Sequence, residues 1–263
     1  MPANNSLNML RFALPIARYT VVEAARNRLV WLLVVALLAA VMLAGFLQQV
    51  SLTEANRVEG VVIAAFMRVV GVFLVAAIVV TGVVREFNDK VLEVLLAKPM
   101  PRASYLLGKL AGFAAVALVV AVVAGLPLVP FVPFPARAAW CASLFGELVI
   151  VVAAALFCVL TLNQVVTALS AVLGFYVLAR SMAAVQIIAD ASGPPAGLKD
   201  RVTGTIVDVI AALLPAFDRM TQTAWLVEGL PSLATAGQIA VQCAVYVSLL
   251  AGAALFDLYR QNF

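Results

Sequence analysis

The chain has 263 residues, 65% of them hydrophobic and only 11% charged, with a mean hydropathy of +1.11 and a formal net charge of +4. Soluble domains carry about a quarter of their residues as charges, so a water-soluble globule of this length is excluded and the bilayer is the natural solvent. There is no histidine, which removes imidazole bases and ligands, and the net charge is read by side of the membrane, not as a nucleic-acid footprint.

The first segment, Leu7–Asn27, reads as an amphipathic helix lying on the membrane. Arg11, Arg18 and Arg26 fall on one side at helical spacing, and Leu10, Leu14, Ala17 and Val21 on another. Its scattered arginines and lack of a compact apolar stretch argue against a cleaved signal. Six spans follow, at about Leu29–Leu47, Val61–Val84, Leu106–Phe131, Trp140–Leu162, Val165–Ala189 and Gly237–Phe256. Each is near the 20 apolar residues that cross a hydrocarbon core, and none alternates as a barrel strand would. The fold class expected is an all-α integral membrane protein, one transmembrane domain over residues 1–263.

Charge orients it. With the N-terminus inside, ten of the seventeen Lys and Arg residues fall on the inner side, as the positive-inside rule requires. Both termini are then cytoplasmic. The loop 85–105 is cytoplasmic too, and the long segment 190–236 lies outside. In that outer segment, Ile206, Ile210, Leu213 and Phe217 share a helical face, which predicts a short amphipathic or re-entrant helix between spans five and six.

The stretch Arg85–Lys109 holds eight charges: Arg85, Glu86, Asp89, Lys90, Glu93, Lys98, Arg102 and Lys109. From Glu86 to Ala97 the residues favour helix, with Glu86, Asp89, Lys90 and Glu93 on one side and Val91, Leu92, Leu95 and Leu96 on the other. Pro99 and Pro101 end that helix, and Ser104 is placed to cap the next one. A merely solvated linker needs no such construction; a rigid surface pushed by another protein does.

Glu86, Leu92, Leu95-Leu96, Pro99, Arg102 and Leu106-Leu107-Gly108-Lys109 together resemble ABC-transporter permeases of the type-2 exporter class. That class places an acid at the end of the second span, then a threonine-leucine, leucine-leucine, proline-valine-serine-arginine and leucine-leucine-glycine-lysine run. The chain departs from the pattern at Lys90 and at Val91, which replaces the threonine. Within the class it most resembles the group associated with multicopper-enzyme maturation, including its amphipathic start. The resemblance implies a bacterial inner-membrane location, a separate ATPase partner carrying ATP and Mg, and a second permease copy or similar chain. It also implies that Glu86, Phe87, Asp89, Lys90, Glu93, Leu96, Pro99 and Arg102 form the ATPase-coupling surface. No GxxxxGK[ST] motif is present: Ala103 stands where its first glycine would be, and Leu110 follows Gly108-Lys109. No cofactor, metal site or catalytic residue is assigned to this chain.

Arg68, Glu147 and Arg180 lie inside predicted spans, where charges are rare and face a bundle interior or water. They are read either as interfacial snorkelling or one structural ion pair, or, with Gln238 and Gln242, as a polar lining of an exit path. Gly71, Gly82, Gly112, Gly125 and Gly174 are expected at close helix contacts. Cys141, Cys158 and Cys243 are widely spaced and read as inert thiols, and the scattered methionines give a copper cargo no support. A stand-alone secondary transporter and a membrane scaffold remain as competing functions, and the sequence names no cargo.

Overall fold

The computed structural model describes residues 3–50, 55–89, 101–191, 205, 209–210, 213–226 and 229–260. Its long helices are α1 (Ala3–Ala25), α2 (Val30–Val50), α3 (Ala55–Asn88), α4 (Arg102–Ala124), α5 (Phe134–Leu162), α6 (Val165–Ala191) and α7 (Leu233–Arg260). Helices α3 to α7 are each long and apolar enough to cross a membrane, and α1 with α2 forms a sixth such unit bent by 55°. The described residues are therefore all-α, with five of the six expected spans in the expected order and the first, Leu29–Leu47, joined to α1 in the bent unit.

The connections follow from local chemistry. Between α1 and α2 the Asn27 carboxamide oxygen accepts a hydrogen bond from the Leu29 amide at 3.1 Å. The Pro-rich stretch after α4 is not helix as expected: α4 stops at Ala124, and a short 3-10 turn, Leu126–Leu128, follows. Pro127 and Pro130 cannot donate to a continuing helix. The next helix starts six residues earlier than the sequence suggested, at Phe134, because Pro135 falls in its first turn, where a missing N–H costs nothing. Helix α5 ends at Asn163, which adopts the left-handed conformation (φ 52°) and donates its amide to Val159 O, a C-terminal stop that Asn tolerates. Ser232 caps α7 by accepting from the Thr235 amide at 3.1 Å. Thr81, the one polar residue in the apolar run Val69–Val84, donates back to Ala77 O at 2.6 Å, leaving no unmet donor in lipid.

Helix α5 is the centre of the bundle. It is apolar nearly all round, and Leu144, Leu148, Ile150, Val151 and Ala155 are fully buried. It contacts α3, α4, α6 and α7. Helix α7, by contrast, buries only Ala254 and Leu258.

The N-terminal helix does more than lie on a surface. It packs along the start of α4, where a Cβ added to Gly108 would meet Ala13 O at 2.8 Å, and one added to Gly112 would meet Thr20 Cβ at 2.7 Å. Gly108 and Gly112 form a GxxxG pair that lets the two backbones approach; Gly108 was not among the expected packing glycines. Ser104 does not cap α4. It lies buried within the first turn, its hydroxyl without a partner, and Pro101 is the N-cap residue.

Candidate functional site: two buried charge clusters

At the end of the bundle that carries residues 90–100, Glu86 is in the last turn of α3 and is buried. One carboxylate oxygen accepts from the Tyr105 hydroxyl at 2.8 Å, and the other from the Lys109 ammonium. Lys109 is itself 1% exposed, lies 3.8 Å from Glu23 of α1 and stands over the Phe113 ring. Tyr105 and Lys109 are four residues apart on α4 and present both donors on one face. The cluster thus joins α1, α3 and α4 at the two roots of the loop 90–100.

The charged stretch therefore divides. Glu86 does not share an outward polar face with Asp89, as expected, because its partners are Tyr105 and Lys109 inside the bundle. Arg85 and Asp89 form an exposed ion pair at 3.6 Å, and Phe87 is half-buried. Arg102 donates to Leu258 O at 2.6 Å and lies over the Tyr259 ring, placing a cation at the carbonyl end of α7, where the helix dipole favours it. Lys90, Glu93, Leu96, Pro99 and the rest of the expected coupling helix lie outside the described residues.

Deeper in the bundle, Arg68 of α3, Glu147 of α5 and Arg180 of α6 converge on one segment of chain. Arg68 and Glu147 each lie 13 residues from the start of their helices, about 20 Å along the axis. Glu147 is fully buried; its oxygens accept from the Tyr176 hydroxyl at 2.7 Å and from the Thr221 hydroxyl. Arg180 lies 4.0 Å from Glu147 and donates to the carbonyls of Met220, at 3.0 Å, and Phe217. Arg68 donates to Thr221 O at 3.1 Å. The Thr221 amide donates to Ser143 Oγ at 2.8 Å.

These bonds hold the segment 213–226 against the bundle. Phe217 is not on the expected amphipathic face with Ile210 and Leu213. Helix ends at Leu213, since the residue before Pro215 avoids helical angles, and Phe217 beyond it is buried against Phe175 and Tyr176. Ile206 lies outside the described residues. Thr221 sits at φ 50°, a genuine outlier for a β-branched residue, held there by its own bonds to Ser143 and Glu147. Gln238 is exposed and Gln242 half-buried on α7, and no described hydrogen bond brings either to the cluster. Spacing could have signalled the missed partners: Ser143 is four residues before Glu147, and Tyr176 four before Arg180.

Residues 47–217 match the model of the ABC-2 family transporter proteins. The chain belongs to that family. The match, well over half the chain, makes it a multi-pass membrane permease component of an ABC transporter, a transport part that works with an ABC ATPase subunit. It does not reach the multicopper-maturation group, and no curated protein matches the chain.

Proposed function

We propose that the chain is the permease of an ATP-driven exporter in a bacterial inner membrane, with both termini cytoplasmic and two permease chains per complex. A separate ATPase, carrying ATP and Mg, docks on 85–105. The observation that carries this reading is the way the roots of that loop are fastened. Glu86 binds Tyr105 and Lys109, Lys109 reaches Glu23, and Arg102 holds the end of α7. A push on residues 90–100 would thus reach α3, α4, α1 and α7 together.

The test uses the full chain co-expressed with its ATPase. An Asp89→Arg/Glu93→Arg double substitution is expected to abolish co-purification and permease-stimulated ATP hydrolysis, since losing charge partners at a desolvated interface costs about 2–5 kcal/mol each. Normal assembly and transport would refute docking there; normal ATP hydrolysis with no cargo moved by the unmodified complex would favour a scaffold. Orientation is checked separately, by labelling Pro195→Cys but not Leu95→Cys from outside intact cells.

A further inference from the structure

We infer that Arg68 and Arg180 form a binding site for one anionic group, phosphate or carboxylate, carried on an apolar molecule, and that the segment Phe217–Thr221 occupies this site in the present structure. The inference rests on the reading of the chain as a cargo-carrying permease and names the class of cargo.

Charge balance is the first ground. The cluster sets two guanidinium groups against one carboxylate: Arg180 lies 4.0 Å from Glu147, and Arg68 binds the carbonyl of Thr221, whose hydroxyl donates to Glu147. A net positive charge partly buried between apolar helices is unfavourable and is relieved by an anion. Neutral oxygens now stand in that place. The acceptors for the two arginines, besides Glu147, are the backbone carbonyls of Phe217, Met220 and Thr221.

Spare donor capacity is the second ground. A guanidinium offers five N–H donors in a planar fork, and the buried Nε of Arg68 has no hydrogen-bond partner. Two such forks suit the oxygens of a phosphate or carboxylate better than single carbonyls do.

The occupant is also held under strain. Thr221 holds a left-handed backbone while bonded to Ser143 and Glu147, and such conformations persist where their surroundings over-determine them. Lifting the segment relieves that strain and frees both arginines in one movement. Phe175, Tyr176, Phe217 and Met220 around them are apolar surfaces, which fits an amphiphile with a charged head.

The experiment uses the purified full chain in detergent, without ATPase, and so is independent of the coupling reading. Affinities are measured for dioctanoyl phosphatidylglycerol and dioctanoyl phosphatidylcholine, with inorganic phosphate as competitor. The anionic lipid is expected to bind at least about tenfold more tightly. Arg68→Gln and Arg180→Gln should each erase that preference, since a charge-assisted hydrogen bond is worth roughly a factor of ten or more, whereas the exposed Arg219→Gln should keep it. Competition by phosphate assigns the site to a free anion; its absence assigns it to a lipid-like headgroup. In a cysteine-free chain, Met220→Cys should label faster when the anionic ligand is added, a readout that does not depend on the arginine variants folding. Equal affinity for the two lipids, a preference that survives both arginine changes, or ligand-independent labelling at 220 would overturn the proposal.

Discussion

Beside residues 90–100 Lys109 stands between two carboxylates, Glu86 and Glu23, and every bond runs from one helix side chain to another. In the second cluster Arg180 lies beside Glu147, and the hydrogen bonds of Arg68 and Arg180 run to the backbone of a single irregular segment. The Glu86 arrangement ties three helices to one another, so breaking it is expected to lower the stability of the bundle. The second arrangement fixes a short stretch of chain to helices that already pack through Leu144, Leu148 and Val172, so opening it is expected to leave the bundle folded. Two clusters of similar chemistry thus have unequal mechanical roles: one is a joint, the other a fastening.

The comparison is tested most severely at Lys109. Lys109→Met leaves Glu86 buried beside Glu23 without a cation, and breaking a buried pair costs about 3–5 kcal/mol. Thermal unfolding in detergent should show a large loss, and Glu86→Gln added to it should restore part of the stability. A single change as mild as the double would mean that Lys109 is no joint. Gly112→Ile probes the same region through packing. Its side chain would meet Thr20 and Ala17 O, and overpacking of this kind costs about 1–3 kcal/mol. The expected result is α1 released from α4, seen as faster tryptic cleavage at Arg18; unchanged cleavage would show that α1 docks by other contacts.

The fastening should respond differently. Ser143→Ala removes the acceptor of the Thr221 amide, and a buried donor left unmet costs about 1–3 kcal/mol. Because the loss falls on the segment, global unfolding should shift little while a cysteine placed at position 220 labels faster. A large fall in bundle stability with no change in labelling would reverse the roles of the two clusters.

The spans were legible because lipid demands long apolar helices and permits little else. The clamp at Glu86 was half legible. Glu86 and Lys109 are plain in the sequence, but their pairing depends on how α3 and α4 meet across 23 residues, and local spacing placed Glu86 on an outward polar side with Lys90 instead. Glu23 was invisible for the same reason, since it reaches Lys109 only after Gly108 and Gly112 bring α1 against α4. In the second cluster Arg68, Glu147 and Arg180 stood out as charges within apolar runs, but Thr221 did not. Its role depends on a turn after Pro215 that breaks the helical period of the residues before it.

The smallest effect expected is also the most informative about docking. Arg85 and Asp89 pair at 3.6 Å with both side chains more than half exposed, and exposed pairs contribute about 0–1 kcal/mol. Arg85→Gln with Asp89→Asn should leave thermal unfolding unchanged, in contrast to any change at Glu86 one residue away. These two positions therefore separate folding from association, which Glu86 cannot, because its loss unsettles the clamp whether or not an ATPase is present. If the double variant unfolds normally yet loses its ATPase, the docking surface begins at the last turn of α3, directly below the clamp. If it keeps its ATPase, docking is confined to residues 90–100 and the exposed pair only faces water. In either case the clamp behind it acts alike, making the end of α3 and the start of α4 move as one body when the loop between them is pushed.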